Sequence, residues 1–129
     1  MTAELTILML AIVLGLVHIV LASHAASLQR GYRWTASARD KPLSPLTGVA
    51  GRLERALQNF IETFPFFAAA VLIAQLAGRT DALTFWGALL YLSGRVVYLL
   101  LYASGAFLAR SIAWNVATLG IVLILLGLW

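Results

Sequence analysis

The sequence has no cysteine, which excludes disulfides and thiolate metal ligands. Any thiol chemistry must therefore come from a bound substrate. Charged residues are scarce as well: they make up 11% of the 129 residues, whereas a soluble domain carries about 25%. Hydrophobic residues reach 62%. This composition is typical of an integral membrane protein, and the length allows one compact domain without a second.

Long basic runs are also missing. The net charge of +4 reflects nine basic and five acidic residues, and the basic residues are spread along the chain without alternating with aromatics. This distribution argues against binding to nucleic acid. Only two histidines are present, and without cysteine they give little support for a metal site, so no metal is expected.

Long apolar runs, by contrast, dominate the chain. Four segments approach or exceed the roughly 20 residues that cross a hydrocarbon core. They cover, approximately, residues 5–28, 51–77, 81–108 and 111–129. Only the connection at residues 29–50 is long, and the two short connections make neighbouring helices antiparallel. The expected fold is all-α, an integral membrane four-helix bundle in up-down-up-down order that forms a single domain over residues 1–129.

Positive charges predict how this bundle lies in the membrane. Most of them fall in or beside residues 29–50 or near the third connection, namely Arg30, Arg33, Arg39, Lys41, Arg52, Arg55 and Arg110. The positive-inside rule places those connections in the cytoplasm and both termini on the non-cytoplasmic side. A cleaved signal peptide is the alternative, with a cleavage site at residues 23–25. Because the N-terminal residues include Glu4 and no lysine or arginine, an uncleaved span is favoured.

Two stripes of polar side chains interrupt the apolar spans. Spacings of three, four and three residues place one stripe on a single face of the second helix: Arg52, Arg55, Asn59 and Glu62. Spacings of four, three and four residues do the same on the third helix for Tyr91, Arg95, Tyr98 and Tyr102. In an antiparallel pair, Arg55 is level with Tyr102, and Glu62 lies within about one turn of Arg95 in depth.

An unpaired charge deep in a bilayer costs at least about 2.5–3.5 kcal/mol, so we expect Glu62 to pair with Arg95. This pair alone is equally compatible with a structural contact that fixes helix register and binds no ligand. The remaining donors exceed what such a contact needs: Arg52, Arg55 and Arg110, with Tyr98 and Tyr102. Surplus positive charge and hydroxyl donors in an apolar surrounding suit a small ligand that bears carboxylates.

Two motifs resemble those of a known family. "RALQNFIETFPFF", residues 55–67, is similar to the signature Arg-Ala-x-x-Asn-x-x-Glu-x-x-Pro-x-Phe of the MAPEG family, the membrane-associated proteins of eicosanoid and glutathione metabolism. "GRVVYLLLY", residues 94–102, resembles the family's third-helix motif. The resemblance covers essentially the whole chain and suggests a bacterial-type member. It implies a homotrimer that binds glutathione as a co-substrate between adjacent subunits near the cytoplasmic side.

The resemblance also implies roles for individual residues. The catalytic residue would be Arg110, whose guanidinium stabilises the glutathione thiolate. The residues that bind glutathione would be Arg55, Asn59, Glu62, Tyr98 and Tyr102, with Arg30 or Arg33 contributing from the end of the first helix. Arg52 and Arg95 are added to this binding set because they lie on the same polar stripes. One position departs from the transferase pattern, in which a tyrosine can follow the signature glutamate, because Thr63 stands there.

Three functions follow as hypotheses. The first is a membrane enzyme, in a bacterial inner membrane, that conjugates or reduces lipophilic electrophiles with glutathione. The second is a non-catalytic membrane protein that keeps the pocket for a lipid or thiol ligand, since the family also contains a non-enzymatic type. The third is a transporter that uses Glu62 and Arg95 for ion coupling, which four spans without a broken central helix do not favour.

His18 lies in the middle of the first span, where an ionisable group is a functional candidate. The favoured interpretation is a neutral imidazole that is hydrogen bonded to a neighbouring helix. Tryptophans and a tyrosine mostly fall near predicted span ends and are interpreted as interfacial anchors: Tyr32, Trp34, Trp86, Trp114 and Trp129.

Overall fold

Five helices make up the computed structural model, which describes residues 1–129. They are α1 (Ala3–Arg30), α2 (Tyr32–Ala36), α3 (Gly48–Leu76), α4 (Ala82–Ser104) and α5 (Phe107–Gly127). All except α2 are long and apolar enough to cross a membrane. The predicted all-helical fold with four candidate membrane spans is confirmed.

The third connection differs from the prediction. It lies at Gly105 and Ala106, whereas the sequence suggested a turn near Arg110. Gly105 adopts a left-handed conformation with φ of 86°, and its N–H bonds to carbonyls of the last turn of α4, which ends the helix there. Arg110 therefore lies in the first turn of α5 and not in a connection, so the helix itself fixes the direction of its side chain.

The predicted loop at residues 29–50 contains a short helix, α2, that the sequence analysis missed. Two hydrogen bonds hold it against the last turns of α1: the Ser27 and Thr35 hydroxyls lie 2.9 Å apart, and His24 Nδ1 lies 2.9 Å from the Tyr32 hydroxyl. The residues before α3 are fixed in the same way, because Gln29 Nε2 donates to Thr47 Oγ1 over 2.7 Å. The connection is thus anchored to α1 at both of its ends.

α3 and α4 form the centre of the bundle. Each of them contacts both α1 and α5, whereas α1 and α5 do not contact each other. Side chains near the start of α3 meet the end of α4, since Arg52 Nε donates to the carbonyl of Ala103 over 3.0 Å. At the other end Glu4, which is buried, accepts a 2.8 Å hydrogen bond from the Thr84 hydroxyl and joins the starts of α1 and α4.

Two apolar clusters fill the bundle, with a polar layer between them. The cluster nearer the chain termini comprises Ile7, Leu8, Ala11, Phe67, Ala70, Val71, Ala74, Ala88, Tyr91, Ala117, Ile121 and Ile124. The other comprises Ala22, Leu53, Ala56, Tyr98, Leu99, Tyr102 and Ala113. Arg95 falls one helical turn from Tyr91 and one from Tyr98, so it lies where the two clusters meet. His18 is also buried but belongs to neither cluster. Its ring stacks on Phe60, with 4.9 Å between the ring centroids.

Glycines let α4 and α5 approach closely. A Cβ atom placed on Gly87 would lie 2.6 Å from the carbonyl oxygen of Gly120, and one placed on Gly94 would lie 3.0 Å from the Ala117 backbone nitrogen. These neighbours are backbone atoms, which cannot rotate away as a side chain can. The close contact along both helices therefore depends on small residues, as is common between helices in membranes.

We expect Gly120→Ala to destabilise the protein, because the new methyl group would lie 2.7 Å from the Tyr91 backbone nitrogen. Overpacking of this kind costs about 1–3 kcal/mol and should lower the Tm of the detergent-purified protein by at least about 3 °C. Leu119→Ala is the control, since the Leu119 side chain is half exposed on the outer surface of the same helix. Equal Tm values for the two variants would contradict the assignment of a close contact at Gly120.

Candidate functional site

The polar stripes of α3 and α4 face each other, as their spacing predicted. Arg55 Nε donates to the Tyr102 hydroxyl over 3.2 Å, so these two residues are level, as expected. One helical turn further from the start of α3, Arg95 Nη1 donates to Asn59 Oδ1 over 2.7 Å. The polar groups therefore form one continuous layer between the two helices.

Arg95 is completely buried. Its guanidinium donates to Asn59 Oδ1 and, through Nη2, to Thr63 Oγ1, while its Nε has no hydrogen-bond partner. The guanidinium also lies over the rings of Tyr91 and Tyr98, with 5.5 Å between its carbon and each ring centroid. A buried cation needs hydrogen bonds and polarisable neighbours when no carboxylate pairs with it. Here the Asn59 amide, the Thr63 hydroxyl and the two tyrosine rings compensate the buried charge of Arg95.

The predicted ion pair between Glu62 and Arg95 is wrong. Glu62 is exposed, and its carboxylate accepts a 3.4 Å hydrogen bond from Gln58 Nε2. The reason is the 100° step between successive helix residues. Thr63, one residue further along, faces α4 together with Asn59, and this rotation turns the Glu62 carboxylate outward. Glu62 therefore forms no salt bridge with Arg95. Direct contact of Arg95 with a ligand was also expected, but Arg95 is fully buried and contacts Asn59 instead.

Tyr102 lies between two arginines. Arg55 approaches its hydroxyl from α3, and the Arg110 guanidinium carbon lies 4.4 Å from its ring centroid on the side of α5. A separation of this size is typical of a cation–π contact. Tyr98 packs edge-on against Tyr102, with 5.4 Å between the ring centroids. The two tyrosines thus form a buried floor, and the arginines stand at its margins.

A groove of about 400 Å³ opens above this floor, between α3 and α5. Four predicted site residues line it, namely Asn59, Tyr98, Tyr102 and Arg110. Three further lining residues were not predicted to belong to the site, namely Ser111, Trp114 and Asn115. No carboxylate belongs to this lining. The groove is therefore polar and positively charged on the surface of a helical bundle whose exterior is mostly apolar.

Ser111, Trp114 and Asn115 reach the groove because α5 begins at Phe107. Ser111 was predicted to begin the fourth span and Trp114 to anchor it at the interface. The helix instead presents both to the groove, with Asn115 one turn after Ser111. Asn115 Nδ2 donates to the Ser111 carbonyl over 2.8 Å. The signal that the sequence held was their spacing from Arg110, since positions one, four and five residues further share one side of a helix.

Five of the predicted binding residues lie outside the groove lining, and one of them, Arg95, is fully buried. Arg52 Nε donates to the Ala103 carbonyl at the end of α4. Glu62 and Arg55 are exposed on α3. Arg30 lies on the opposite side of the bundle, where its guanidinium is 5.2 Å from the Trp34 ring centroid and donates to the Ser44 carbonyl over 3.4 Å. A single chain therefore does not bring Arg30 to the groove, because α1 and α5 do not touch.

His18 has no hydrogen-bond partner, although a bond to a neighbouring helix was predicted. The side chain is 1% exposed, and neither ring nitrogen meets a polar atom. Its contact is the Phe60 ring, against which the imidazole stacks. His18 is thus separated from the groove by α3 packing, and it contributes no group to the lining.

Comparison with known proteins identifies a family. The model for the family described as "MAPEG family" matches residues 7–129, which is nearly the whole chain. No protein of curated function matches the sequence.

We expect Thr63→Val to lower the Tm, because valine keeps the size of threonine and removes the oxygen that accepts from Arg95. Leaving a buried charged donor without its acceptor costs about 1.5–3 kcal/mol, or roughly 5 °C in Tm. Thr118→Val is the matched control, since the Thr118 hydroxyl bonds only to the Trp114 carbonyl of its own helix. The account of the polar layer fails if Thr63→Val is as stable as Thr118→Val.

Proposed function

The chain belongs to the MAPEG family, and we propose that it is a membrane glutathione transferase whose glutathione site is the groove between α3 and α5. The observation that carries this proposal is the placement of Arg55 and Arg110 on either side of Tyr102, at the margin of a groove without carboxylates. Glutathione carries two carboxylates and one ammonium group at neutral pH. A site with surplus guanidinium groups and hydroxyl donors complements such an anion.

The exposed groups around the groove provide further complementarity. Arg55 and Glu62 are exposed on the same stripe of α3, about two turns apart. The arginine suits a carboxylate of glutathione, and the glutamate suits its ammonium group. The Glu62 carboxylate is available for this contact because it forms no salt bridge with Arg95 or any other arginine of the chain.

Arg110 is the residue that we assign to thiol activation. Its guanidinium cannot lose its proton, so it remains a cation at every physiological pH. A fixed positive charge beside a thiol stabilises the thiolate and lowers the thiol pKa from about 8.5. The Tyr102 ring holds the guanidinium in place at 4.4 Å. The thiol proton passes to solvent. The thiolate sulfur then forms a bond to an electrophilic carbon of the second substrate, and the bond from that carbon to its leaving group breaks, with the electron pair departing on the leaving group.

Lipophilic electrophiles can reach this sulfur from the membrane. Residues of α5 on either side of Arg110 expose large apolar side chains: Phe107, Leu108 and Ile112 are each about two-thirds exposed. A helix surface of this kind contacts lipid tails, in which apolar substrates concentrate. We therefore propose that the substrate class is lipophilic and that it approaches Arg110 along α5.

A second copy of the chain would complete the site. α3 leaves four polar side chains exposed within a membrane-spanning helix, namely Glu54, Arg55, Gln58 and Glu62. Exposure of such groups to hydrocarbon is costly, and a neighbouring subunit would remove it. We propose a homotrimer, in which a neighbour covers this surface and its Arg30 can approach the groove. From the positive charges beside the groove we also propose that it lies at the cytoplasmic side, with both termini on the other side.

Thiolate formation tests the enzymatic part of the proposal. With reduced glutathione at neutral pH, the purified protein should give a thiolate absorbance that Arg110→Ala reduces at least about tenfold. Turnover of a model electrophile should fall in parallel. Arg79→Ala is the control, because Arg79 binds the carbonyls of Leu128 and Trp129 at the opposite end of the bundle. Glutathione binding without thiolate or turnover would indicate a non-catalytic binding protein.

The assembly can be tested separately. Mass measurement in mild detergent should give three times the chain mass of 14.0 kDa. Cross-linking through cysteines introduced at Gln58 should join one chain to another, because this residue lies on the exposed polar surface of α3. Cysteines at Leu125, on the outer surface of α5, should not cross-link with similar yield. A monomer in several mild detergents would contradict the assembly.

A further inference from the structure

The side-chain amide of Asn59 is held from the interior of the bundle and not from the groove. Its Oδ1 accepts the 2.7 Å hydrogen bond from Arg95 Nη1. A guanidinium has five N–H donors and no acceptor, so it can only bond to the oxygen of an amide. The chemistry of Arg95 therefore decides which end of the amide faces inward. The NH2 end, with its two donors, is left for the groove that Asn59 lines.

We propose that Arg95 is a positioning residue, which fixes the Asn59 amide so that Nδ2 donates to a carbonyl or carboxylate oxygen of the bound ligand. The inference rests on the proposed glutathione site and adds the polarity that one part of this site must recognise. An ammonium group or an N–H group would meet a donor at this point and would be rejected. An oxygen atom of a peptide group or carboxylate would be accepted.

Arg95 is itself held firmly enough for this role. Its second amino group donates to Thr63 Oγ1, and the Thr63 hydroxyl lies 3.2 Å from the Tyr91 hydroxyl. Tyr91 in turn stacks on Phe67, with 3.9 Å between the ring centroids, inside the apolar cluster nearer the termini. The orientation of the Asn59 amide thus depends on a chain of contacts that begins in the packed core and ends in the groove.

The second amide in the groove is held in the opposite sense. Asn115 Nδ2 donates to the Ser111 carbonyl, which leaves Asn115 Oδ1 without a partner inside the protein. One side of the groove therefore presents an amide donor from α3 and the other side an amide oxygen from α5. A ligand with peptide groups carries both N–H donors and carbonyl acceptors, so it can satisfy the two sides. This complementarity favours a peptide-like ligand over a simple carboxylic acid.

Asn59→Asp provides a test in which stability and binding should move in opposite directions. Aspartate has the size of asparagine and keeps the oxygen that accepts from Arg95, and its charge compensates a guanidinium that has no carboxylate partner. We expect the Tm to rise by about 2 °C or more. The groove, however, loses its donor and gains an acceptor. The Kd of reduced glutathione, measured by calorimetry, should rise at least about tenfold.

Asn115→Asp is the charge-matched control, since it adds the same negative charge on the other side of the groove. Its Kd should rise clearly less than that of Asn59→Asp, because the exposed oxygen of Asn115 remains an acceptor. Equal losses in the two variants would show a general charge effect and would overturn the inference. An Asn59→Asp variant that binds glutathione like the wild type would overturn it as well.

Two substitutions of Arg95 test the positioning role itself. Lysine is also a donor without an acceptor, so Arg95→Lys should keep the Asn59 amide oriented and retain more affinity. Glutamine can offer either end of its amide, so Arg95→Gln should release this orientation and weaken glutathione binding several-fold further. If the two variants differ in Tm and not in Kd, Arg95 has a structural role alone and the inference fails.

The design separates this inference from the proposed function. If the wild-type protein does not bind glutathione, the proposed function is wrong and the inference falls with it. If the wild type binds and Arg110→Ala loses the thiolate, but Asn59→Asp binds normally, the proposed function stands and only the role of Arg95 is refuted.

Discussion

A positive charge buried without a salt-bridge partner is the constraint on which the rest of this structure depends. Arg95 is fully buried in the middle of the bundle, and its hydrogen bonds go to a neutral amide and a hydroxyl. Removing a cation from water costs several kcal/mol unless its surroundings are arranged to compensate. Residues from α3 and α4 provide this compensation together, which fixes the register of the two helices at the centre of the bundle.

The same arrangement positions the groove. Asn59 faces Arg95 with one end of its amide and the groove with the other, so the buried charge determines a polarity at the surface. Tyr98 contacts the guanidinium with its ring and also forms the floor beside Tyr102. α5 closes the groove from the other side, because Gly105 ends α4 early enough for Arg110 to reach the Tyr102 ring.

Much of the fold and part of the site could be predicted from helical spacing. The apolar lengths gave the four spans, and the two polar stripes correctly brought Arg55 to Tyr102. Spacing could not decide between Glu62 and Thr63 as partners of Arg95, since they differ by one 100° step and a carboxylate is electrostatically the better partner for a guanidinium. The left-handed Gly105 moved the third connection and added Asn115 to the groove. Arg30 was expected from the resemblance and not from spacing, and within one chain it stays away from the groove because α1 and α5 do not contact each other.

The central claim is that Asn59, Tyr102 and Arg110 line one glutathione site. A structure of the protein in a lipid nanodisc with reduced glutathione tests it most directly. We predict that the tripeptide lies between α3 and α5, with its sulfur beside the Arg110 guanidinium and one of its oxygens about 3 Å from Asn59 Nδ2. Glutathione bound elsewhere, for example beside Arg30 and Trp34 between α1 and α3, would contradict the claim.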